Sequence, residues 1–256
     1  MTNLHALVLE SFHAERGAKF GPFAGYRMPV QYSLGVKGEH IHTRNAVGLF
    51  DVSHMGQLLI EGTGATNALE QLVPAALQEM IPGQIRYSQL TLNNGGILDD
   101  LMLTRWDEES WGLVVNGACK HGDIDHLKTY LPADVTMRYF DNHSLIAVQG
   151  PKARRILSEL IPEAEQLTFM RSTQTSWNGH DIILSCCGYT GEDGYEISIA
   201  KQFVRELAEE LTQLRETTWV GLGARNSLRL ETGLCLYGHD LTTDTTPIEA
   251  DLSWSI

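Results

Sequence analysis

Two adjacent carboxylates, Asp99 and Asp100, interrupt the apolar stretch ILDDLML that follows a pair of glycines. A glycine pair between apolar runs is typical of a hairpin turn, so residues 97–104 are predicted to form a strand. Asp99 and Asp100 then point to opposite faces, each of which also carries apolar side chains. A buried carboxylate is costly without a partner. The pattern indicates either a ligand that offers a donor or a positive charge, or hydrogen bonds to the amides of the preceding turn. Alternation does not decide which carboxylate has such a role.

A glycine-rich stretch, GYTGEDGYEISI at residues 188–199, is a candidate binding site for a flat ligand. Three glycines within seven residues predict a tight loop with close backbone approach. In the strand that follows, Glu196 lies on the face opposite Tyr195 and Ile197. A heteroaromatic ligand would explain this set, since Tyr189 could stack on its ring while Glu196 binds an edge with paired N–H groups. The alternative is a solvent-facing Glu196 beside tyrosines that belong to the core.

Two arginines, Arg225 and Arg229, are one turn apart on a helix predicted over residues 224–232 and ended by Gly233. They repel each other unless an anion lies between them. Recognition of a ligand carboxylate would explain the pair. A structural ion pair with an acidic residue from a strand would explain it equally well.

Neither a catalytic triad nor a metal site is indicated. No nucleophile elbow accompanies Asp51, Ser53 and His54. Two further groups lack a third and a fourth metal ligand, and their histidines are predicted to lie at the surface: Glu39, His40 and His42, and His121 with His126.

Composition narrows the class of partner. The chain has 256 residues and a formal net charge of −13, without a basic block, which argues against nucleic acid and anionic membranes as partners. The N-terminus has no signal-peptide pattern, and no apolar run is long enough to span a bilayer. The four cysteines include an adjacent pair and no CxxC motif, so we expect reduced thiols and a cytoplasmic protein.

Strand and helix patterns follow one another in mixed order, with several hairpins. The strongest helical pattern covers residues 201–215, where apolar residues recur at helical spacing. This order favours an α+β fold with antiparallel sheets flanked by helices. No GxGxxG or Walker motif opens a helix, so a nucleotide-binding fold has no support.

Taken together, these stretches resemble the aminomethyltransferase (T-protein) family of the glycine cleavage system. The motifs that carry the resemblance are collinear over nearly the whole chain: RMPVQY (27–32), GLFDVSHMG (48–56), GGILDDL (95–101), LVVN (113–116), QGP (149–151), GYTGEDGYE (188–196), GLGAR (221–225), LRLETGLCLYG (228–238) and LSW (252–254).

The resemblance implies a reaction. Members transfer the one-carbon unit of an aminomethyl group, carried on the dihydrolipoyl arm of H-protein, to tetrahydrofolate, with release of ammonia. The family's catalytic aspartate is the second of the Asp-Asp pair, here Asp100, which would orient the folate and stabilise positive charge near N10. The resemblance places Glu196 on the amino edge of the pterin ring, and it implies further folate-binding positions at Met55, Tyr87, Asn116, Tyr189 and Arg225. It implies no metal.

We expect two interleaved subdomains: residues 1–50 with 141–256, and residues 51–140. The resemblance implies that family members continue into a C-terminal β-barrel domain, which we expect to be absent here. Three departures from the family pattern stand out: Asn226 where an aspartate is usual, the pair Cys186-Cys187 before GYTG, and Tyr26 in place of tryptophan. No anion-binding role is carried onto the two cysteines.

Two other functions fit the same folate motifs. One is a folate-dependent demethylase of a small N-methyl or S-methyl compound. The other is a non-catalytic folate-binding protein similar to iron–sulfur maintenance proteins. The KGCYxGQE motif of those proteins is replaced here by GLCLYGHDL, and Asp100 is retained, which favours aminomethyl transfer.

Overall fold

In the computed structural model, which describes residues 4–256, short strands and helices follow one another in mixed order. The strands are β1 (His5–Ala6), β2 (Lys19–Phe23), β3 (Tyr26–Gln31), β4 (Val47–Asp51), β5 (Gly56–Glu61), β6 (Ile85–Thr91), β7 (Ile97–Arg105), β8 (Ser110–Val115), β9 (Thr136–Tyr139), β10 (His143–Gln149), β11 (Arg171–Trp177), β12 (His180–Cys186), β13 (Gly194–Ala200) and β14 (Thr217–Trp219). The helices are α1 (Glu10–Glu15), α2 (Gly35–Asn45), α3 (Ala65–Glu70), α4 (Lys120–Tyr130), α5 (Ala153–Leu157), α6 (Val204–Gln213) and α7 (Leu222–Glu231), with 3₁₀ turns at Pro162–Glu165 and Ser253–Ser255. Antiparallel pairing dominates the sheets, which confirms the predicted α+β class.

The chain folds as two units, each assembled from two separate segments. The first contains residues 4–54 and Asn142–Leu234, and the second contains Met55–Asp141 and Cys235–Ile256. The predicted first subdomain includes residues 235–256, whereas the structure groups them with the second unit. Within residues 4–256, every helix is too short or too polar to cross a membrane.

Contacts to the start of β7 explain where the last segment belongs. The amide of Ile97 donates to the carbonyl of Thr245 at 3.0 Å, and the hydroxyl of Tyr237 donates to the carbonyl of Ile97 at 3.1 Å. The Ile97 side chain is buried with Leu241 and Leu252. These partners are about 140 or more residues apart in sequence, so no local pattern predicts them.

The first unit is built on a six-stranded sheet in the order β11-β12-β13-β10-β4-β14, with a smaller sheet β1-β3-β2. Helix α6 packs on the core through the residues that the helical spacing predicts, with Leu207 and Leu211 fully buried. It begins at Val204 and ends at Gln213, inside the predicted range of residues 201–215. The apolar spacing therefore identified the helix, and its ends were set by packing.

The second unit is built on a five-stranded sheet in the order β6-β7-β8-β5-β9. The predicted hairpin joins β6 to β7, and Gly95 adopts φ +83°, which favours glycine. A Cβ on Gly96 would lie 1.8 Å from the carbonyl oxygen of Thr243, so only glycine fits there. The turn thus fixes the register that places Asp99 and Asp100 in the middle of the sheet.

A buried carboxylate connects three segments of the first unit. Glu39 on α2 is fully buried, and it accepts hydrogen bonds from the amide of Tyr32 at 2.6 Å and from the amide of Gly221 at 2.7 Å. Tyr32 directly follows β3 and Gly221 directly precedes α7, and each amide would otherwise be a buried donor without an acceptor. Glu39 is therefore a structural acceptor.

We expect Glu39→Gln to lower the free energy of unfolding by about 2–4 kcal/mol, because the new amide group turns a donor toward one of two backbone donors. Glu209→Gln is the matched control, since Glu209 lies on the exposed face of α6 in a surface ion pair with Arg205. That change should cost less than about 1 kcal/mol. Urea unfolding at neutral pH measures both. Equal losses in the two variants would contradict the structural role of Glu39.

Candidate functional site

The two adjacent carboxylates of β7 have different surroundings. Asp99 is fully buried on the face shared with Ile97 and Leu101, while Asp100 is half-buried on the opposite face. The strand lies between β6 and β8, so both of its edges are hydrogen-bonded to neighbouring strands of the same sheet. The alternation predicted from the sequence is present, and Asp100 is the carboxylate with access to solvent.

Asn116, directly after β8, joins the two carboxylates. Its side-chain Nδ2 lies 3.0 Å from Asp99 Oδ1 and 2.8 Å from Asp100 Oδ1, and its backbone amide donates to Asp99 Oδ2 at 3.0 Å. The amide of the preceding turn at Gly96 is bound by Asn94 instead. The alternative that both aspartates bind amides of the turn is therefore wrong.

Tyr87 on β6 supplies the other donor to Asp100. Its hydroxyl donates to Asp100 Oδ2 at 3.1 Å. The Tyr87 ring is stacked on Trp254, with ring centroids 5.3 Å apart and an interplanar angle of 20°. Trp254 is 65% exposed and comes from the last segment of the chain, so sequence reasoning did not assign it to the site. The LSW motif was the only signal that could have pointed to it.

Burial and neighbouring charge determine the ionisation of Asp100. Burial raises its pKa first, and the negative charge of Asp99 raises it further, while the hydrogen bonds from Tyr87 and Asn116 lower it; the resulting pKa is about 7. At neutral pH this carboxyl group is therefore close to its midpoint and can hold or release a proton at one oxygen. Burial also raises the pKa of Asp99.

The glycine-rich loop and its strand lie in the first unit. β13 pairs with β10 and β12, and Glu196 is half-buried on the face opposite the buried Tyr195 and Ile197. The backbone of the loop is closely approached, since a Cβ on Gly188 would lie 1.8 Å from the side-chain oxygen of Gln149. The predicted tight loop is confirmed, and Tyr195 is a core residue.

A cation and a thiol accompany Glu196. The guanidinium of Arg225 on α7 lies 4.7 Å from the centroid of the Tyr189 ring. Burial raises the pKa of Glu196, and the charge of Arg225 and a hydrogen bond from the Cys187 thiol lower it in part. Nη1 of Arg225 is buried and has no hydrogen-bond acceptor among residues 4–256. This group can offer a ligand a carboxylate, a guanidinium donor and an aromatic face.

Arg229 has a structural role. It is buried, and it donates to the side-chain oxygen of Asn226 at 2.9 Å and to the carbonyl of Leu234 at 2.9 Å. Asn226, which replaces the family's aspartate, therefore still provides an acceptor for this arginine. The two arginines of α7 have different surroundings: Arg225 lies beside Tyr189 and interacts with Glu196, and Arg229 binds the end of its own helix.

The predicted site residues thus form two groups, one in each unit. Tyr87, Asp100 and Asn116 form the first group, and Tyr189, Glu196 and Arg225 form the second group. Met55 is half-buried directly before β5 in the second unit. The roles of all seven residues stay predictions. Two residues that act on Asp99, the buried Asp123 and the half-buried Cys119, belong to no motif and were not predicted from the sequence.

Comparison with known proteins places this architecture in a family. The model of the GCVT N-terminal domain matches residues 9–256. The chain is 45% identical to the mitochondrial aminomethyltransferase of Dictyostelium discoideum, over 99% of this chain and 66% of that protein, and 41% identical to the aminomethyltransferase of Chlorobium phaeovibrioides, over 97% and 70%. The crystal structure of glycine cleavage system aminomethyltransferase T from Bartonella henselae matches with a TM-score of 0.94 and 42% identity, over 98% of this chain and 69% of that one.

This chain belongs to the aminomethyltransferase family of the glycine cleavage system. It spans about two thirds of the length of the relatives that it matches.

We expect Tyr87→Phe to raise the pKa of Asp100 above about 7, because the hydroxyl donor that favours the ionised carboxylate is lost while burial is kept. Carboxyl ¹³C NMR shifts recorded against pH measure the midpoint. Tyr130→Phe is the control, since Tyr130 is exposed at the end of α4. A Tyr87→Phe midpoint at or below that of the unaltered protein would contradict the hydrogen bond.

We expect Cys187→Val to raise the pKa of Glu196, because the thiol donor to that carboxylate is removed and the site becomes more apolar. The adjacent Cys186→Val is a matched control, since the Cys186 sulfur instead faces Arg154 at 3.9 Å. The same NMR titration, read at Glu196, distinguishes them. If both changes move Glu196 equally, the effect comes from general packing and not from the Cys187 thiol.

Proposed function

We propose that this chain catalyses the transfer of a one-carbon unit from aminomethyl-dihydrolipoyl H-protein to tetrahydrofolate, with release of ammonia. The observation that carries the proposal is the half-buried Asp100 carboxyl group, fixed by Tyr87 and Asn116, with a pKa of about 7. Membership in the aminomethyltransferase family supports the reaction type. The H-protein donor, the folate acceptor and a cytoplasmic location are parts of the proposal.

The group around Glu196 has the chemistry that a pterin ring requires. A carboxylate can accept two N–H donors from an amidine-like edge, and this geometry suits Glu196. The buried Nη1 of Arg225 lacks an acceptor among residues 4–256, and a ring carbonyl is such an acceptor. Tyr189 offers a face against which a flat ring packs. These residues fit the folate that the family implies, with Met55 as a further predicted contact.

Tetrahydrofolate, when bound, supplies the nitrogen atoms that accept the one-carbon unit. Asp100 would face positive charge as it develops during the transfer, and a fixed carboxylate away from bulk water interacts with such charge strongly. Tyr87 and Asn116 hold both carboxylate oxygens, so little reorganisation is needed. Because the pKa of Asp100 is near neutrality, its oxygen can also take up or release a proton within the site.

We expect Asp100→Asn to lower kcat by about 100-fold or more while tetrahydrofolate binding stays within a few-fold of the unaltered protein. The unaltered protein should gain activity as the pH rises through about 7, because the ionised Asp100 is the active form. Asp100→Asn should lose that dependence. A transfer assay with aminomethyl-H-protein at several pH values measures both effects.

The partner variant, Glu196→Gln, should weaken tetrahydrofolate binding about 10- to 100-fold by calorimetric titration, because a charged acceptor becomes neutral. Glu209→Gln on the exposed face of α6 is the control for both experiments. Folate binding without transfer from H-protein would favour the non-catalytic folate-binding protein, and transfer from small N-methyl or S-methyl donors would favour the demethylase. Unchanged folate binding by Glu196→Gln would contradict the pterin assignment.

A further inference from the structure

A third buried carboxyl group, Asp123, lies next to the pair on β7. It is on the first turn of α4 and is 1% exposed. Both of its oxygens are buried, and neither accepts a hydrogen bond from an N–H or hydroxyl group among residues 4–256. Its contact is with Asp99, which is itself fully buried. A buried carboxylate without any donor is rare in proteins and calls for an explanation.

The missing donor at Asp123 is explained by the chemistry of two carboxyl groups in contact. Two ionised carboxylates only accept hydrogen bonds, and they repel each other. If one of them is protonated, its O–H donates to the other and both the repulsion and the missing donor disappear. Asp99 already accepts two N–H bonds from Asn116, which favour its ionised form. The proton therefore belongs on Asp123.

The groups around Asp123 also favour its protonated form. Asp99 and Asp100 act on it from β7, and both of them and burial raise its pKa. Cys119, before α4, and Tyr237, from the last segment, are neutral neighbours of the same acidic cluster, and its charges raise the pKa of each. Lys120 follows Cys119, and its side-chain stem packs near Gly56 on β5.

We propose that Asp123 is a positioning residue: as a carboxylic acid it donates a hydrogen bond to Asp99, and this keeps Asp99 an ionised acceptor that orients Asn116 toward Asp100. The chain of contacts runs from Asp123 to Asp99, from Asp99 to both donors of Asn116, and from Asn116 Nδ2 to Asp100 Oδ1 at 2.8 Å. Asp123 itself touches neither donor of Asp100. Its importance for catalysis rests on the proposed function, but the proton and its effect on Asp100 do not.

Two substitutions at Asp123 distinguish the loss of a hydrogen-bond donor from a change in packing. Asp123→Asn keeps a donor toward Asp99 in a side chain of the same shape. Asp123→Leu keeps similar volume and removes the donor. Without that donor, Asp99 takes up the proton itself, and the negative charge that raises the pKa of Asp100 is lost. This loss outweighs any weakening of the Asn116 hydrogen bond, which lowers the same pKa by a smaller amount. We therefore expect Asp100 to titrate at lower pH in Asp123→Leu, and near its original midpoint in Asp123→Asn.

Carboxyl ¹³C NMR titration of Asp100 reads this out without folate or H-protein, so a failure of the proposed function does not affect the result. The proposal is overturned if Asp123→Leu leaves the Asp100 midpoint unchanged, or if Asp123→Asn shifts it as far as Asp123→Leu does. Transfer activity then tests the catalytic consequence. We expect Asp123→Asn to retain most of kcat, and Asp123→Leu to lose at least about 10-fold with an altered pH profile.

A second measurement uses Asp123→Asn alone and decides the case if Asp123→Leu does not fold. A carboxyl group whose native pKa is raised destabilises the native state as pH rises from the unfolded-state value toward the native one. Asp123→Asn has no titrating carboxyl group at this position, so it does not lose stability in this way as the pH rises. The urea midpoint of Asp123→Asn, relative to the unaltered protein, should therefore increase steadily from about pH 5 to about pH 8. A difference that does not change with pH would mean that Asp123 is ionised throughout, and the proposal would fail.

Discussion

The side-chain amide of Asn116 donates hydrogen bonds to two carboxylates, Asp99 and Asp100, that lie on opposite faces of one strand. Asp99 and Asp100 are neighbours on β7, so their side chains diverge, and no group on either face alone can reach both. Asn116 reaches both because it stands just past the end of β8, beside β7. The register between β7 and β8 is therefore a condition for the site.

Burial raises the pKa of both candidate carboxyl groups, Asp100 and Glu196, and different partners oppose it. At Asp100 the opposing partners are neutral donors, Tyr87 and Asn116, so the carboxyl group has a pKa near neutrality. At Glu196 the main opposing partner is the charge of Arg225. A carboxyl group held by neutral donors can exchange a proton, whereas a carboxyl group near a cation is suited to binding a ligand in one charge state. The division agrees with a reacting role for the first group and a binding role for the second.

Much of the fold follows from local patterns. Apolar spacing predicted α6, and the turn signal predicted the hairpin between β6 and β7. Local patterns did not identify the site residues. Alternation left Asp99 and Asp100 equivalent, and only the family resemblance singled out Asp100. Trp254 appeared only within the LSW motif, without a role, and Asp123 belonged to no motif. Their contacts, to Tyr87 and to Asp99, depend on packing between distant segments.

By itself the sequence determined the α+β class, the glycine turn, the alternation of faces on β7 and β13, and the family. These are properties of short stretches, where side-chain size, backbone freedom and period are sufficient. The tertiary structure alone decided that residues 235–256 join the second unit, that Glu39 is a buried acceptor, and that Asn116 joins two carboxylates. The physical reason is that hydrogen bonding and desolvation act through space, and the distances that control them arise only when separate strands and helices pack together.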